Sequence, residues 1–155
     1  MNNKRLHDLF DYRDGIIFWK VSRGRVVAGT KAGSMVLNGR LYVQIDGVKH
    51  LVHRIIWQMH HGKCPEFLDH IDCNPLNNKI ENLRPATKQQ NAMNRSMHST
   101  NKCGIKGIYR HGKKFIASIG HNGVNKYLGS FSTPEQAGAA YAAEAKLIFK
   151  EYANV

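Results

Sequence analysis

Turn-forming residue pairs divide this chain into short segments, and they limit the folds that it can adopt. Pairs that end in glycine supply the positive φ angles of tight hairpin turns. They occur in the first and the last third of the 155 residues, at Asn38-Gly39, Asp46-Gly47, His111-Gly112 and Asn122-Gly123. The length of 155 residues limits the chain to one ordinary domain or to two or three very small ones that share little core. The turns predict short antiparallel strands in the first and the last third.

The segments between the turns predict an α+β protein in four sections. Residues 1–52 read as a small β-rich section. At His53 the apolar spacing changes to that of a short helix, which Gly62 terminates, and residues 53–95 continue as a strand, an Asn-rich loop and a second short helix. Residues 96–103 are polar and unpatterned, as in a linker.

Residues 104–155 predict a second small domain. Three strand candidates come first and alternate with turns. Thr133 is then a suitable N-cap, and Pro134 suits the first position of an Ala-rich helix that extends to about Phe149. The expected arrangement is a three-stranded antiparallel sheet packed on one helix.

The charge of the chain favours a polyanionic partner. Lys and Arg number 23 against 11 Asp and Glu, and the formal net charge is +12. The excess lies in residues 1–52 and 100–155, whereas the middle is nearly balanced. No run of about 18 apolar residues could cross a bilayer, and the first residues do not resemble a signal peptide. We therefore expect a cytoplasmic protein with no membrane partner.

The cysteines do not indicate a metal framework. Cys64, Cys73 and Cys103 are odd in number, and no two have the spacing of a zinc knuckle or ribbon. Neither a structural zinc nor a disulfide framework is expected.

An adjacent Asp69 and His70 form the sharpest chemical feature. A carboxylate can bind a hard divalent cation while a neutral imidazole activates water as a base. Asn82 follows His70 by twelve residues and Asn91 follows nine residues later; the amide oxygen of Asn91 can serve as a second hard ligand. Taken singly, each asparagine is an ordinary turn or cap residue.

Together these residues resemble the HNH endonuclease family, in the version where Asn replaces the last His. The resemblance covers about 53–95 and implies a ββα-metal fold with one divalent ion, Mg²⁺ or Mn²⁺. It implies that His70 is the general base, that Asp69 and Asn91 bind the metal, and that Asn82 braces the loop and orients the His70 ring. Arg54 and Arg84 are candidate DNA contacts. The matching positions are Leu68–Asp72, Asn77-Asn78, Ile80–Arg84, Thr87 and Gln90-Asn91.

Residues 101–150 resemble the plant apetala/ethylene-response-factor DNA-binding domain. The similarity lies in Lys106–Arg110, Lys114–Ile119 and Tyr127–Phe131, and it implies a sheet laid in the major groove. The implied DNA contacts are Lys106, Tyr109, Arg110, His111, Ser118 and Tyr127, with Lys114 and Lys126 on phosphates.

Residues 1–52 resemble the module that precedes such nucleases in phage and intron-encoded homing enzymes, which implies extra DNA contact.

The favoured function is a divalent-metal-dependent endonuclease of homing type, from a phage or mobile element, that acts on double-stranded DNA. No obligate protein partner is evident. The main alternative is a non-catalytic, sequence-preferring DNA-binding regulator in which the central motif is a relic. An RNA-binding or ribosome-associated basic protein draws on the same charge, although the aromatic pattern of single-strand readers is missing.

Overall fold

A computed structural model describes residues 2–35, 39–94, 101 and 103–153. It contains two compact units, residues 1–87 and 88–155. This division differs from the sequence-based boundaries after residues 52 and 95, and those four sections stay a prediction. The predicted turn residue Asn38 and most of the predicted linker 96–103 lie outside the described residues. The mixed class of helices and strands is confirmed.

The first unit begins with α1 (Asn3–Leu9), which the sequence analysis missed. Its N-cap is Asn2, whose side chain accepts a hydrogen bond from the Arg5 backbone N–H at 2.9 Å. The helix has seven residues, and Leu6 is its buried residue. A single buried position gives no repeating apolar pattern from which a helix could be predicted.

Short strands and one longer helix follow in the first unit. In chain order the elements are β1 (Phe10–Arg13), β2 (Ile16–Trp19), β3 (Lys31–Ala32), β4 (Ser34–Met35), β5 (Leu41–Ile45), β6 (Val48–Leu51), α2 (Val52–His61), β7 (Phe67–His70), a 3-10 turn (Ile80–Asn82) and β8 (Leu83–Ala86). Within the described residues of this unit, the strands form three small antiparallel sheets, with orders β1-β2-β3, β4-β5-β6 and β7-β8.

One hydrophobic core joins the N-terminal strands to the segment that carries Asp69 and His70. Phe10, Ile17 and Trp19 of the first hairpin lie in the same buried cluster as Ile56 of α2 and Leu83 of β8. Residues on both sides of position 52 therefore bury apolar surface against each other, which is why they form one unit. As predicted, α2 ends at Gly62, which has a φ of +78° and donates its N–H to the Gln58 carbonyl.

The second unit is a three-stranded antiparallel sheet of order β11-β10-β9 with a helix packed on it. Small residues of α4 allow close approach to the strands, and Ala137 and Ala145 are buried beside Tyr141. The predicted N-cap Thr133 accepts from the Gln136 N–H at 3.3 Å. The elements are α3 (Lys88–Met93), β9 (Ile108–His111), β10 (Lys114–His121), β11 (Val124–Phe131), α4 (Pro134–Phe149) and a 3-10 turn (Lys150–Tyr152).

Among the described residues, none of the helices combines the length and the apolar character that a bilayer crossing requires.

Candidate active site

Asp69 and His70 end strand β7, at the base of a long loop that returns to β8. The antiparallel register places Asp69 opposite Arg84 and His70 opposite Leu83. Both residues are buried, with exposed fractions of 5% for Asp69 and 7% for His70. The strand pairing therefore fixes the backbone of the two residues that the sequence singled out.

The His70 ring is held by Asn78, to which the sequence analysis gave no separate role. His70 Nε2 lies 3.0 Å from the Asn78 side-chain oxygen, and Asn78 is only 1% exposed. The Asn78 amide nitrogen donates to the Leu76 carbonyl at 3.4 Å, which supports this orientation of the amide. An oxygen acceptor requires that Nε2 carry the proton, so the lone pair of the neutral ring lies on Nδ1.

Burial favours the neutral form of His70 and of its neighbour His53. The two rings pack edge to face with centroids 5.0 Å apart. Burial is the main cause that lowers the pKa of His70, and it lowers the pKa of His53 to about 3, with smaller effects from His70, Arg40 and Arg54. Neutral imidazole is the form that can act as a base.

The buried His53 predicts a pH dependence of stability. Between pH 6.5 and about 3, the unfolded chain binds a proton at His53 that the folded chain does not. Stability should therefore fall as the pH drops through this range, with a slope that approaches about 1.4 kcal/mol per pH unit for this group. The free energy of unfolding can be measured by urea unfolding at pH 7, 6 and 5. The fluorescence of Trp19 and Trp57, which lie in the first unit, follows the transition.

His53→Gln is the matched variant for this measurement. Its absolute stability can differ, but its loss of stability between pH 7 and pH 5 should be smaller than that of the wild type, because the glutamine does not titrate. A slope equal to that of the wild type would contradict the assignment to His53.

Asp69 forms a buried ion pair with Arg84. Arg84 Nε donates to Asp69 Oδ2 at 3.0 Å, and the two side chains are 13% and 7% exposed. Removing one partner from such a pair leaves a buried charge without compensation, which is costly. Arg84 thus has a structural contact in addition to its predicted role on DNA, which stays a prediction.

Asn82 ties the two ends of the loop together. Its side-chain oxygen accepts from the Asp72 N–H at 3.1 Å, and its amide donates to Asp72 Oδ1 at 2.9 Å and to the Asn77 carbonyl at 2.8 Å. These contacts agree with a loop-bracing role. Asn78, four residues earlier in the chain, is the residue whose side-chain oxygen lies 3.0 Å from His70 Nε2, and the orientation of the His70 ring by Asn82 stays a prediction.

Arg54 links α2 to the segment that leads into β7. Its guanidinium donates to the Glu66 carbonyl at 3.0 Å and to the Pro65 carbonyl at 2.8 Å. The Arg54 side chain therefore has a structural function, and its contact with DNA stays a prediction.

The two predicted metal ligands lie in different units, Asp69 on β7 and Asn91 on α3. In residues 2–35, 39–94, 101 and 103–153, no three His, Cys, Asp or Glu side chains come together as a metal-binding group. Mg²⁺ commonly uses only one or two protein ligands and takes its other oxygens from water and substrate phosphates. The Asp69 carboxylate and the Asn91 amide each offer an oxygen of the kind that such an ion binds, and their binding of one common ion stays a prediction.

In the second unit, the strand register places five predicted DNA contacts on one face of the sheet. Tyr109 pairs with Ile116, and Ser118 pairs with Tyr127, so these positions alternate with the buried Ala117 and Ile119. Tyr109 and Tyr127 are 52% and 61% exposed. The face also includes the pair Lys114 and His111.

Other predicted contacts of this unit have partners within the protein. Lys126 donates to Glu144 of α4 at 2.8 Å, and Arg110 Nε donates to the Gly112 carbonyl at 3.1 Å. Lys106 is half-buried, and its Nζ donates to the Met93 carbonyl at 2.7 Å. The exposed Lys114 and the two tyrosines are therefore better placed for contact with a ligand.

Comparison with known proteins addresses the central segment directly. The family model described as HNH endonuclease matches residues 50–93. An uncharacterized HNH endonuclease of Acanthamoeba polyphaga mimivirus is 40% identical over 114 residues, which cover 72% of this chain and 59% of that protein. Protein 3.8 of Escherichia phage T7 is 38% identical over 58 residues, or 36% of this chain and 48% of the phage protein.

The chain thus spans between about half and three fifths of the length of these relatives. No solved structure shows a significant match. The matched segment contains β7, the loop with Asn78 and Asn82, β8 and α3. These matches support a nuclease: residues 50–93 are similar to the HNH endonuclease family, and 72% of the chain aligns with a viral HNH endonuclease.

Proposed function

We propose that this chain is a divalent-metal-dependent endonuclease that hydrolyses phosphodiester bonds in double-stranded DNA. The observation that carries the proposal is a buried His70 beside Asp69, with its ring bound by Asn78, inside the segment that matches the HNH endonuclease family. A base of this kind must be unprotonated and correctly oriented when it meets water.

In the proposed reaction, His70 accepts a proton from the attacking water at Nδ1. The hydrogen bond from Nε2 to Asn78 keeps the lone pair on Nδ1 and stabilises the positive charge that develops on the ring. The water oxygen bonds to phosphorus, and the bond to the 3′ oxygen breaks, so that a 5′-phosphate remains. A cation held by Asp69 and Asn91 would stabilise negative charge on the scissile phosphate and on the leaving oxygen.

Binding of the DNA is proposed to involve both basic regions of the chain. Phosphate contacts require an excess of cations, which the net charge of +12 provides. The exposed face of Tyr109, Ser118 and Tyr127 is proposed to meet the major groove, with Lys114 on a phosphate. The enzyme is proposed to be of homing type, from a phage or mobile element, and to act in the cytoplasm of a host cell; the sources of its relatives, a mimivirus and a phage, support only the viral part of this proposal.

Metal dependence is the direct test of this proposal. At low salt with Mg²⁺, the protein should convert supercoiled plasmid to nicked or linear DNA, and Mn²⁺ should also support the reaction. EDTA should abolish cleavage, and excess Mg²⁺ should restore it, because the ion stabilises the negative charge on the scissile phosphate and on the leaving oxygen. Gel analysis of the plasmid forms measures the result.

Two results would count against the proposal. Cleavage at an equal rate in EDTA would contradict the metal requirement. Retained binding of duplex DNA without cleavage, on plasmids that carry varied candidate sites, would favour the non-catalytic regulator. Competition with structured RNA in the same binding assay distinguishes a DNA ligand from an RNA ligand.

A further inference from the structure

The turn between β1 and β2 packs against the loop that holds His70. Gly15 in this turn has a φ of +83°, and a Cβ atom built on it would lie 2.8 Å from the backbone nitrogen of Lys79 and 3.1 Å from the carbonyl carbon of Asn78. Both contacts are with backbone atoms, which cannot move aside as a flexible side chain can. A glycine at this position allows the two backbones to approach each other.

Two polar contacts join the same surfaces. The Tyr12 hydroxyl of β1 accepts a hydrogen bond from the Ile80 N–H at 3.1 Å. Lys79 Nζ lies 2.9 Å from Asp14 Oδ1, in an ion pair whose side chains are 44% and 74% exposed. An ion pair this exposed contributes little, so the backbone approach at Gly15 and the Tyr12 hydrogen bond are the stronger contacts.

These contacts fall on three consecutive residues of the loop. Asn78 binds the His70 ring, and the next two residues, Lys79 and Ile80, are the ones that the hairpin contacts. The hairpin is itself anchored, because Phe10, Ile17 and Trp19 are buried in the core of the first unit. The loop is therefore supported from a rigid element at the point where it holds the ring.

We propose that the β1–β2 hairpin positions His70 through Asn78, with Tyr12 and Gly15 as positioning residues. The proposal rests on the function proposed above and gives the N-terminal hairpin a role in the chemical step. The resemblance of residues 1–52 to a DNA-contacting module implied a role in substrate binding instead. A role in positioning His70 affects kcat, whereas a role in substrate binding affects KM and the affinity for DNA.

The matched pair Gly15→Ala and Gly29→Ala tests the hairpin. Both glycines have nearly the same φ, +83° and +84°, but nothing lies within 4 Å of a Cβ built on Gly29. The two variants therefore carry similar backbone strain, and only Gly15→Ala displaces the loop. Plasmid cleavage under single-turnover and steady-state conditions, with DNA affinity in EDTA, gives kcat, KM and Kd.

We expect Gly15→Ala to lower kcat by about 10- to 100-fold, since a misplacement of about 1 Å in a catalytic group can cost about 100-fold. KM and DNA affinity should stay within about twofold of the Gly29→Ala values. Tyr12→Phe, which removes only the hydroxyl, should lower kcat by about threefold with KM unchanged, an order-of-magnitude figure for one lost hydrogen bond. Circular dichroism confirms that each variant is folded.

A second readout does not depend on cleavage. In NMR spectra of the full chain without DNA, the His70 Nε2–H resonance should be protected from exchange by its hydrogen bond to Asn78. Gly15→Ala should weaken this protection, and Gly29→Ala should leave it intact. If the wild type does not cut DNA but this difference is found, the proposed enzymatic function fails and the positioning role stands.

Three results would overturn the positioning role. They are a kcat for Gly15→Ala equal to that of Gly29→Ala, an increase in KM with no change in kcat, or identical protection of the His70 ring in the two variants. If Gly15→Ala fails to fold, Tyr12→Phe decides the question, and an unchanged kcat together with an unchanged ring resonance would overturn the proposal.

Discussion

His70→Ala is expected to reduce the cleavage rate of plasmid DNA by about 100- to 10,000-fold, the range that a general base contributes. The variant loses the ring that accepts the proton from water, whereas the surface that binds DNA is unchanged. DNA affinity measured in EDTA should therefore stay within about twofold of the wild type. Gel assays with Mg²⁺ over a time course measure the rate.

His61→Ala is the matched control for this experiment. His61 is an exposed histidine of the same unit, at the end of α2, where its ring stacks on Trp57 with centroids 3.8 Å apart. Its removal should leave the cleavage rate within about twofold of the wild type. Because His70 is buried, unfolding curves of both variants must show that the protein is folded under assay conditions. A folded His70→Ala protein that cuts as fast as the wild type would contradict the assigned base.

Gly107→Ala is expected to destabilise the second unit by about 3 kcal/mol or more, a large effect for one methyl group. A Cβ at position 107 would overlap the Tyr141 ring and lie 2.8 Å from the Ser118 carbonyl oxygen, and the φ of +73° is unfavourable for alanine. Tyr141 is a buried residue of α4, so the overlap pushes the helix off the sheet. DNA affinity should fall with the loss of this unit.

Gly112→Ala separates the overlap from the backbone strain. Gly112 has a φ of +60° in the turn between β9 and β10, and nothing lies within 4 Å of its built Cβ. The free energy of unfolding of the second unit should fall by only about 1 kcal/mol in this variant. Trp19 and Trp57 lie in the first unit and do not report on this change, so amide NMR signals of β10 and β11 during urea unfolding are the suitable measurement. Equal stability of the two variants would contradict the predicted overlap.

Local chemistry explains which features were predictable from the sequence. A helix that ends at Gly62 and one that begins after Thr133 depend on neighbouring residues, and the structure confirms both. The adjacent Asp69 and His70 could be recognised because their chemistry and spacing are visible along the chain. Their family assignment is supported by the match over residues 50–93.

Contacts between distant segments were not predictable in this way. Asn78 was part of the quoted motif, but its position under the His70 ring depends on the fold of the loop between β7 and β8. Gly15 lies more than 60 positions from the backbone that it contacts. No rule of local spacing connects such residues.

The sequence by itself therefore determined the turns, the helix ends and the candidate catalytic pair, because each depends on residues close together in the chain. Tertiary structure decided that residues 1–52 share a core with β7 and β8, that Arg84 pairs with Asp69, and that Asn78 holds the His70 ring. The physical reason is that burial and hydrogen bonding depend on which distant segments pack together, and a pattern of neighbouring residues does not specify that choice.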